Sequence, residues 1–181
     1  MTSARLEFAT FDALEAAWSV DGADRTGQVH VLVARLGGGA HRTLPLAEFC
    51  PQRGLIGDRW ERGQAPCLGR QVTVMDVRVA ELVCAGQELY LPGDNILVDL
   101  NLSEDHLGVG DELRCGGLCL RVTEKPHLGC QVFAERLGAE ALKWVNWRAH
   151  RDRRLRGVNC QVVAGGTLRV GDRLEGPGSS M

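Results

Sequence analysis

The chain has 181 residues, enough for one domain with a self-sufficient core. Its 21 basic and 23 acidic side chains leave a net charge of −2, which excludes a global attraction to nucleic acid or to an anionic membrane. Any anion site must therefore be a local patch. No apolar run approaches the roughly 18 residues of a spanning helix, and Glu7 and Asp12 fall where a secretory signal needs an apolar core. The seven cysteines are odd in number and scattered, which predicts reduced thiols in a cytoplasm and no disulfide framework.

In chain order, Thr10 predicts the cap of a short helix from Phe11 to about Trp18, with Phe11, Leu14 and Trp18 on one apolar face. Residues 1–24 thus read as an N-terminal helical extension, 25–176 as the main domain and 177–181 as a tail. Val29 to Ala34 is a β-rich run that stops at Gly37-Gly38-Gly39. Gln71 to Met75 predicts another strand, followed by a helix from Val77 to Cys84 that ends at Gly86. Ile96 to Leu100 alternates as a half-buried strand does. Two hairpins are expected, Glu112–Arg114 with Leu118–Val122, and Val158–Val163 with Thr167–Val170, each about a Gly-Gly pair. Val109-Gly110-Asp111 and Val170-Gly171-Asp172 echo each other as tight turns before short strands. Gln131 to Val145 carries a helical apolar period, which Gly138 breaks in two. Many short strands, glycine turns and few helices predict a mainly β barrel or sandwich.

Three stretches carry candidate chemistry. Val122-Thr123-Glu124-Lys125-Pro126-His127-Leu128-Gly129-Cys130 leads out of a strand, through a loop forced by Pro126 and Gly129, into a helix. Cys130 then stands at a helix N-terminus, where free N–H groups and the helix dipole favour a thiolate. Lys125 and His127 are nearby cationic or protonatable groups that favour it further. A thiolate is the form that attacks or accepts sulfur. In Arg53-Gly54-Leu55-Ile56-Gly57-Asp58-Arg59-Trp60, a glycine-framed loop presents Asp58 and Arg59. They pair with each other, or Arg59 forks onto a phosphate or carboxylate. The run from Arg148 to Arg156 holds five arginines and His150, either a solvated loop or a subsite for an anion such as a pterin phosphate. Arg156, directly before Gly157, is the preferred anion contact there.

Taken in order, these pieces resemble the MOSC family, the C-terminal domain type of molybdenum-cofactor sulfurases. The motifs are Gly54-Leu55-Ile56-Gly57-Asp58-Arg59-Trp60, Arg70-Gln71-Val72-Thr73-Val74-Met75, Pro92-Gly93-Asp94-Asn95-Ile96 and Leu107-Gly108-Val109-Gly110-Asp111. The Cys130 loop, Leu155-Arg156-Gly157-Val158-Asn159 and Gly166-Thr167-Leu168-Arg169-Val170-Gly171-Asp172 complete the set. The resemblance implies a MOSC-type β-barrel with a few short helices, of the PK β-barrel kind. It implies that Cys130 carries sulfur as a persulfide, or faces molybdenum. Asp58, Arg59, Asn95, His127 and Arg156 are the implied pocket residues. Molybdenum cofactor is the implied cofactor. Pyridoxal phosphate enters only through a partner cysteine desulfurase, because a chain of this length holds no desulfurase domain. A molybdoenzyme is the other implied partner. Two departures stand out: Leu128-Gly129 precedes Cys130 where many members have a Pro-Cys pair, and Asp94-Asn95 stands for the usual Glu-Asn. Both resemble small bacterial members with a His-x-Gly-Cys loop.

Three other readings compete. His127-x-x-Cys130, with Cys115 and Cys119, has spacing suggestive of zinc but no Cys-x-x-Cys. A non-catalytic module would bind molybdopterin and leave the chemistry elsewhere. A component of a reductase that detoxifies N-hydroxylated compounds would need an electron-donating partner, since the sequence has no flavin, haem or iron–sulfur signature.

Overall fold

The structure, a computed structural model, describes residues 8–19, 25–63 and 67–178. The outer parts of the expected terminal segments, residues 1–7, 20–24 and 179–181, lie outside the described residues. Among the described residues eleven strands and four α-helices follow one another. They are α1 (Phe11–Ala17), β1 (Thr26–Gly37), β2 (Ala40–Leu44), β3 (Leu46–Cys50), β4 (Gly54–Leu55), β5 (Val72–Asp76), α2 (Val77–Cys84) and β6 (Ile96–Val98). Then come β7 (Glu112–Cys115), β8 (Leu118–Val122), α3 (Gln131–Leu137), α4 (Ala139–Val145), β9 (Val158–Ala164), β10 (Gly166–Arg169) and β11 (Arg173–Glu175).

Seven strands close a ring in the order β11-β7-β8-β9-β5-β6-β1, because β1 also pairs with β11. Closure removes the free edges that an open sheet of this size would expose. The long β1 makes it possible: its start pairs with β11, its middle with β6 and its end with β2. A register shift between Val29 and Val31 lets both Val29 and Leu32 reach the interior, which strict alternation would forbid. A second sheet, β10-β3-β4, adds Leu168, Ala47, Phe49 and Leu55 to the same core.

The helices cover the outside of β5 and β6. Val72, Val74, Ile96 and Val98 fill the barrel, while Met75 and Leu97 join a second cluster with Val79, Val83, Phe133, Leu137 and Trp144 of the helices. This explains one difference from expectation: β6 is buried on both faces, not half-buried, because helices cover the face that alternation assigned to solvent. The α1 helix starts where Thr10 predicts it, the Thr10 hydroxyl accepting from Ala13 N at 3.3 Å. It docks on the same cluster through Leu14, and Glu15 accepts from the indole N–H of buried Trp144 at 2.9 Å. Gly138, at φ +95°, separates α3 from α4 as expected.

The second expected hairpin does not form. β9 pairs with β5 and β8, whereas β10 pairs with β3 in the other sheet. At Gly165 and Gly166 the chain crosses between sheets, and a Cβ would meet Phe49 O at 2.8 Å and Leu118 N at 2.7 Å. Close approach of neighbouring backbone, not a hairpin turn, requires this glycine pair. The echoed Gly-Asp pairs are true turns: Asp111 accepts from Gly108 N and Asp172 from Arg169 N, both at 2.7 Å.

Gly157 fixes the entry to β9. Its φ is +93°, and a Cβ there would sit 2.1 Å from Val74 O. Gly157→Ala is expected to lose at least about 3 kcal/mol, combining backbone strain with steric overlap that β5 cannot relieve. Urea unfolding checks it; a loss below about 1 kcal/mol would show that β5 yields at this point.

Candidate functional site

The site is assembled where the loops before β6, between β8 and α3, and between α4 and β9 meet the turn after β4. Two buried carboxylates hold these loops together. Asp94, fully enclosed, accepts from His127 Nε2 at 2.8 Å and pairs with the Arg156 guanidinium. Burial alone would raise its pKa, but the Arg156 and His127 contacts outweigh it and hold the carboxyl below its ordinary value. Arg156 also donates to Pro92 O at 3.0 Å and lies over the Phe133 ring, 4.9 Å from its centroid. Burial, then the Arg156 charge, push His127 below its ordinary 6.5 despite Asp94. These effects favour the neutral imidazole, in which Nε2–H is donated to Asp94 and Nδ1 is the acceptor.

The second carboxylate, Asp58, is saturated with donors. It accepts from Arg35 N at 2.8 Å, from Arg35 Nε and Nη2 at 2.9 Å, from Trp60 N at 2.9 Å and from Asn95 Nδ2 at 3.0 Å. Burial pushes its pKa up, yet these contacts more than offset it and keep the carboxyl low. Asn95 donates onward to Val33 O at 3.0 Å and accepts from Thr73 N at 3.1 Å, so it ties β1 to β5. Asp58 and Asn95 thus form the frame beneath the site. The expected partnership of Asp58 with Arg59 is replaced by one with Arg35, which β1 carries past the carboxylate. Arg59 is left without a carboxylate partner among the described residues.

Two cavities flank the segment Pro126-His127-Leu128. One, of about 390 Å³, is lined by Arg35, Arg59, Trp60, Arg70, Thr73 and that segment, with Asn159. The other, of about 410 Å³, is lined by the segment and by residues of the loop between α4 and β9, Arg156 among them. The six residues singled out from sequence therefore separate. Arg59 and His127 line the first cavity, His127 and Arg156 the second, and Asp58 and Asn95 lie below. Cys130 lines neither. It is exposed at the start of α3, two residues beyond Leu128, and its carbonyl accepts the N–H of Ala134 at 3.1 Å. Lys125 and His127, expected beside this thiol, are bonded instead to Glu124 at 3.6 Å and to Asp94. Gly129 is wedged in place: a Cβ would meet Leu142 Cδ1 at 2.6 Å, and Asn146 hydrogen-bonds both its N–H and its carbonyl, at 2.8 and 3.0 Å.

Sequence reasoning missed Asp94, Arg35 and Arg70 as site residues. Asp94 carried a signal, since an acid in a Pro-Gly turn before a buried strand must find a cation. Arg35 carried none, because an arginine within a strand reads as surface. Among the described residues no group of three His, Cys, Asp or Glu converges to hold a metal, and no helix is long and apolar enough to cross a membrane.

The MOSC domain family model matches residues 86–175, which include Asp94, Asn95, His127, Cys130 and Arg156. Several solved structures share the fold. YuaD from Bacillus subtilis matches with a TM-score of 0.62 and 16% identity, over 83% of this chain and 95% of that one. YiiM from Geobacillus stearothermophilus matches at 0.58 and 14% identity, over 83% of this chain and 74% of that one. YiiM from Escherichia coli matches at 0.55 and 16% identity, over 84% and 71%. No curated protein matches the chain.

The neutral state of His127 has a consequence for stability. Burial and the charge of Arg136 likewise hold His41 below its ordinary 6.5. Below about pH 6.5 the unfolded chain protonates both rings while the folded chain resists, so the unfolded state binds more protons. Stability is full above that pH and falls as the pH drops toward the folded values. The urea midpoint is expected to decline from about pH 7 to about pH 5, and less steeply in His127→Gln. An unchanged slope in the variant would mean that His127 is charged in the folded protein.

Proposed function

Because this chain belongs to the MOSC domain family, we propose that it accepts and passes on sulfur through Cys130, held as a persulfide. The observation that carries this reading is an exposed thiol at the end of a loop whose preceding residues line two cavities. An accepting thiol must be open to a donor protein, and Cys130 is. The Cys130 thiolate attacks the outer sulfur of a donor persulfide. A new S–S bond forms at Cys130, the donor's S–S bond breaks, and the donor cysteine leaves as a thiolate, with no net oxidation. The donor that fits is a cysteine desulfurase, which keeps its own pyridoxal phosphate.

A second reading, molybdenum-cofactor binding at the same site, is favoured by the cavity beside Arg35, Arg59 and Arg70. Its anionic fit rests on Arg59 and Arg70, which no described carboxylate neutralises, since Arg35 is spent on Asp58. Arginine forks suit a pterin phosphate. Cys130 lies two residues beyond the Leu128 wall of this cavity, and the bound group would supply redox or sulfur-exchange chemistry. His127 would present Nδ1 as an acceptor. A binding module without chemistry of its own, or a subunit of a reductase acting on N-hydroxylated compounds, would use the same pocket.

Incubation with a cysteine desulfurase and cysteine is expected to add about 32 Da, one sulfur atom, to the intact protein and nothing to Cys130→Ala. Equal addition to the variant would move the chemistry to another of the cysteines. For the second reading, Arg59→Ala with Arg70→Ala is expected to weaken retention of molybdopterin on gel filtration about tenfold or more, while leaving the persulfide adduct intact. Undiminished retention would remove the phosphate role from this cavity.

A further inference from the structure

The cavity between Leu128 and the loop after α4 has no role in the sulfur chemistry proposed for Cys130. We infer that it binds a small molecule made of an aromatic ring and an anionic group, the ring against Trp147 and the anion on Arg148 and Arg151. Its volume, about 410 Å³, falls in the range of small-molecule sites.

The charge follows from which cations are already spent. Among the lining residues, Arg156 is neutralised by Asp94, Arg154 by Glu104 at 3.6 Å, and Lys125 by Glu124 at 3.6 Å. His150, buried in the wall, is held by Glu15 at 3.0 Å. Glu104 and Glu124, the carboxylates of the lining, are thereby used. Arg148 and Arg151 remain, three residues apart about a 3₁₀ turn, with no carboxylate partner among the described residues. Two unpaired guanidinium groups on one turn present forked donors to a single anion. Behind them, Arg156 keeps a buried Nε–H without a partner.

The ring follows from the apolar portion of the lining. Trp147 is 44% exposed although it is held edge-to-face by Phe11 of α1, the centroids 5.3 Å apart. Val109, 59% exposed, and Val145 line the same space. The Lys143 ammonium also lies over the indole, 5.8 Å from its centroid, and the part of the ring left exposed beside Val109 and Leu128 is a platform for a planar ligand. The α1 helix maintains it, since Glu15 and Phe11 both grip the turn that carries Trp147 and His150.

Fluorine NMR titration of the full-length protein with three probes tests this. They are 4-(trifluoromethyl)benzoate, its uncharged amide, and trifluoroacetate, an anion without a ring. The benzoate is expected to bind at least about tenfold more tightly than the amide, the ratio one charge-assisted hydrogen bond produces. Trifluoroacetate is expected to bind more weakly than the benzoate. Arg148→Gln with Arg151→Gln should bring the benzoate down to the level of the amide, and Trp147→Leu should weaken both. The arginine variant leaves no buried group unpaired, so its urea midpoint should match the parent. Equal affinity for benzoate and amide, an unaffected arginine variant, or no binding of the benzoate would each overturn the assignment.

Discussion

The carboxylate of Asp94 is the constraint on which the site depends. It is fully enclosed, and an ion in that position must be compensated or the chain does not fold around it. Its partners, His127 and Arg156, lie 33 and 62 positions further along the chain. Meeting its charge therefore fixes three loops at once: the turn before β6, the loop that ends at Cys130, and the strand entry at Gly157. Removing one partner of such a buried pair typically costs about 3–5 kcal/mol. That is a large share of an ordinary domain's stability of about 5–15 kcal/mol. The same contact orients His127, whose pKa burial and the Arg156 charge lower against the pull of Asp94. Its Nε2–H is consumed, so it offers the site an acceptor and not a charge.

Asp58 acts in the same way within the frame beneath the site, and together the two acids sort the arginines by role. Arg35 and Arg156 are structural cations, spent on buried carboxylates. Arg59 and Arg70 on one side of the 126–128 segment, and Arg148 and Arg151 on the other, are not. A net charge of −2 conceals this division. Local excess positive charge arises because the structural acids are each answered by a cation, and additional arginines remain at the cavity walls.

Much of the fold was legible because local physics sets it. The Thr10 cap, the helix from Val77, the break at Gly138 and the β7–β8 hairpin all follow from short-range preferences that the packing does not oppose. The β9–β10 hairpin was misread because a Gly-Gly pair serves equally for a turn and for close approach of another backbone. Only the position of Phe49 and Leu118 decides between them. The strands β2 and β4 carry no clean alternation, and β3 buries only Ala47 and Phe49 on either side of exposed Glu48, too short a pattern to stand out in sequence. In the site, Cys130, His127 and Arg156 stood out through their neighbours in sequence. The roles of Asp94 and Arg35 did not, because a buried ion pair is defined by a partner distant in the chain.

The segment from Pro126 to Gly129 is where the elements of the site meet mechanically. It forms one wall of each cavity and leads directly to the thiol. It is fastened at His127 to Asp94 and at Gly129 to Asn146, with Gly129 pressed against Leu142 and Val145 of α4. The exposed thiol therefore follows directly on a segment fastened at two points between the cavities, although it lines neither.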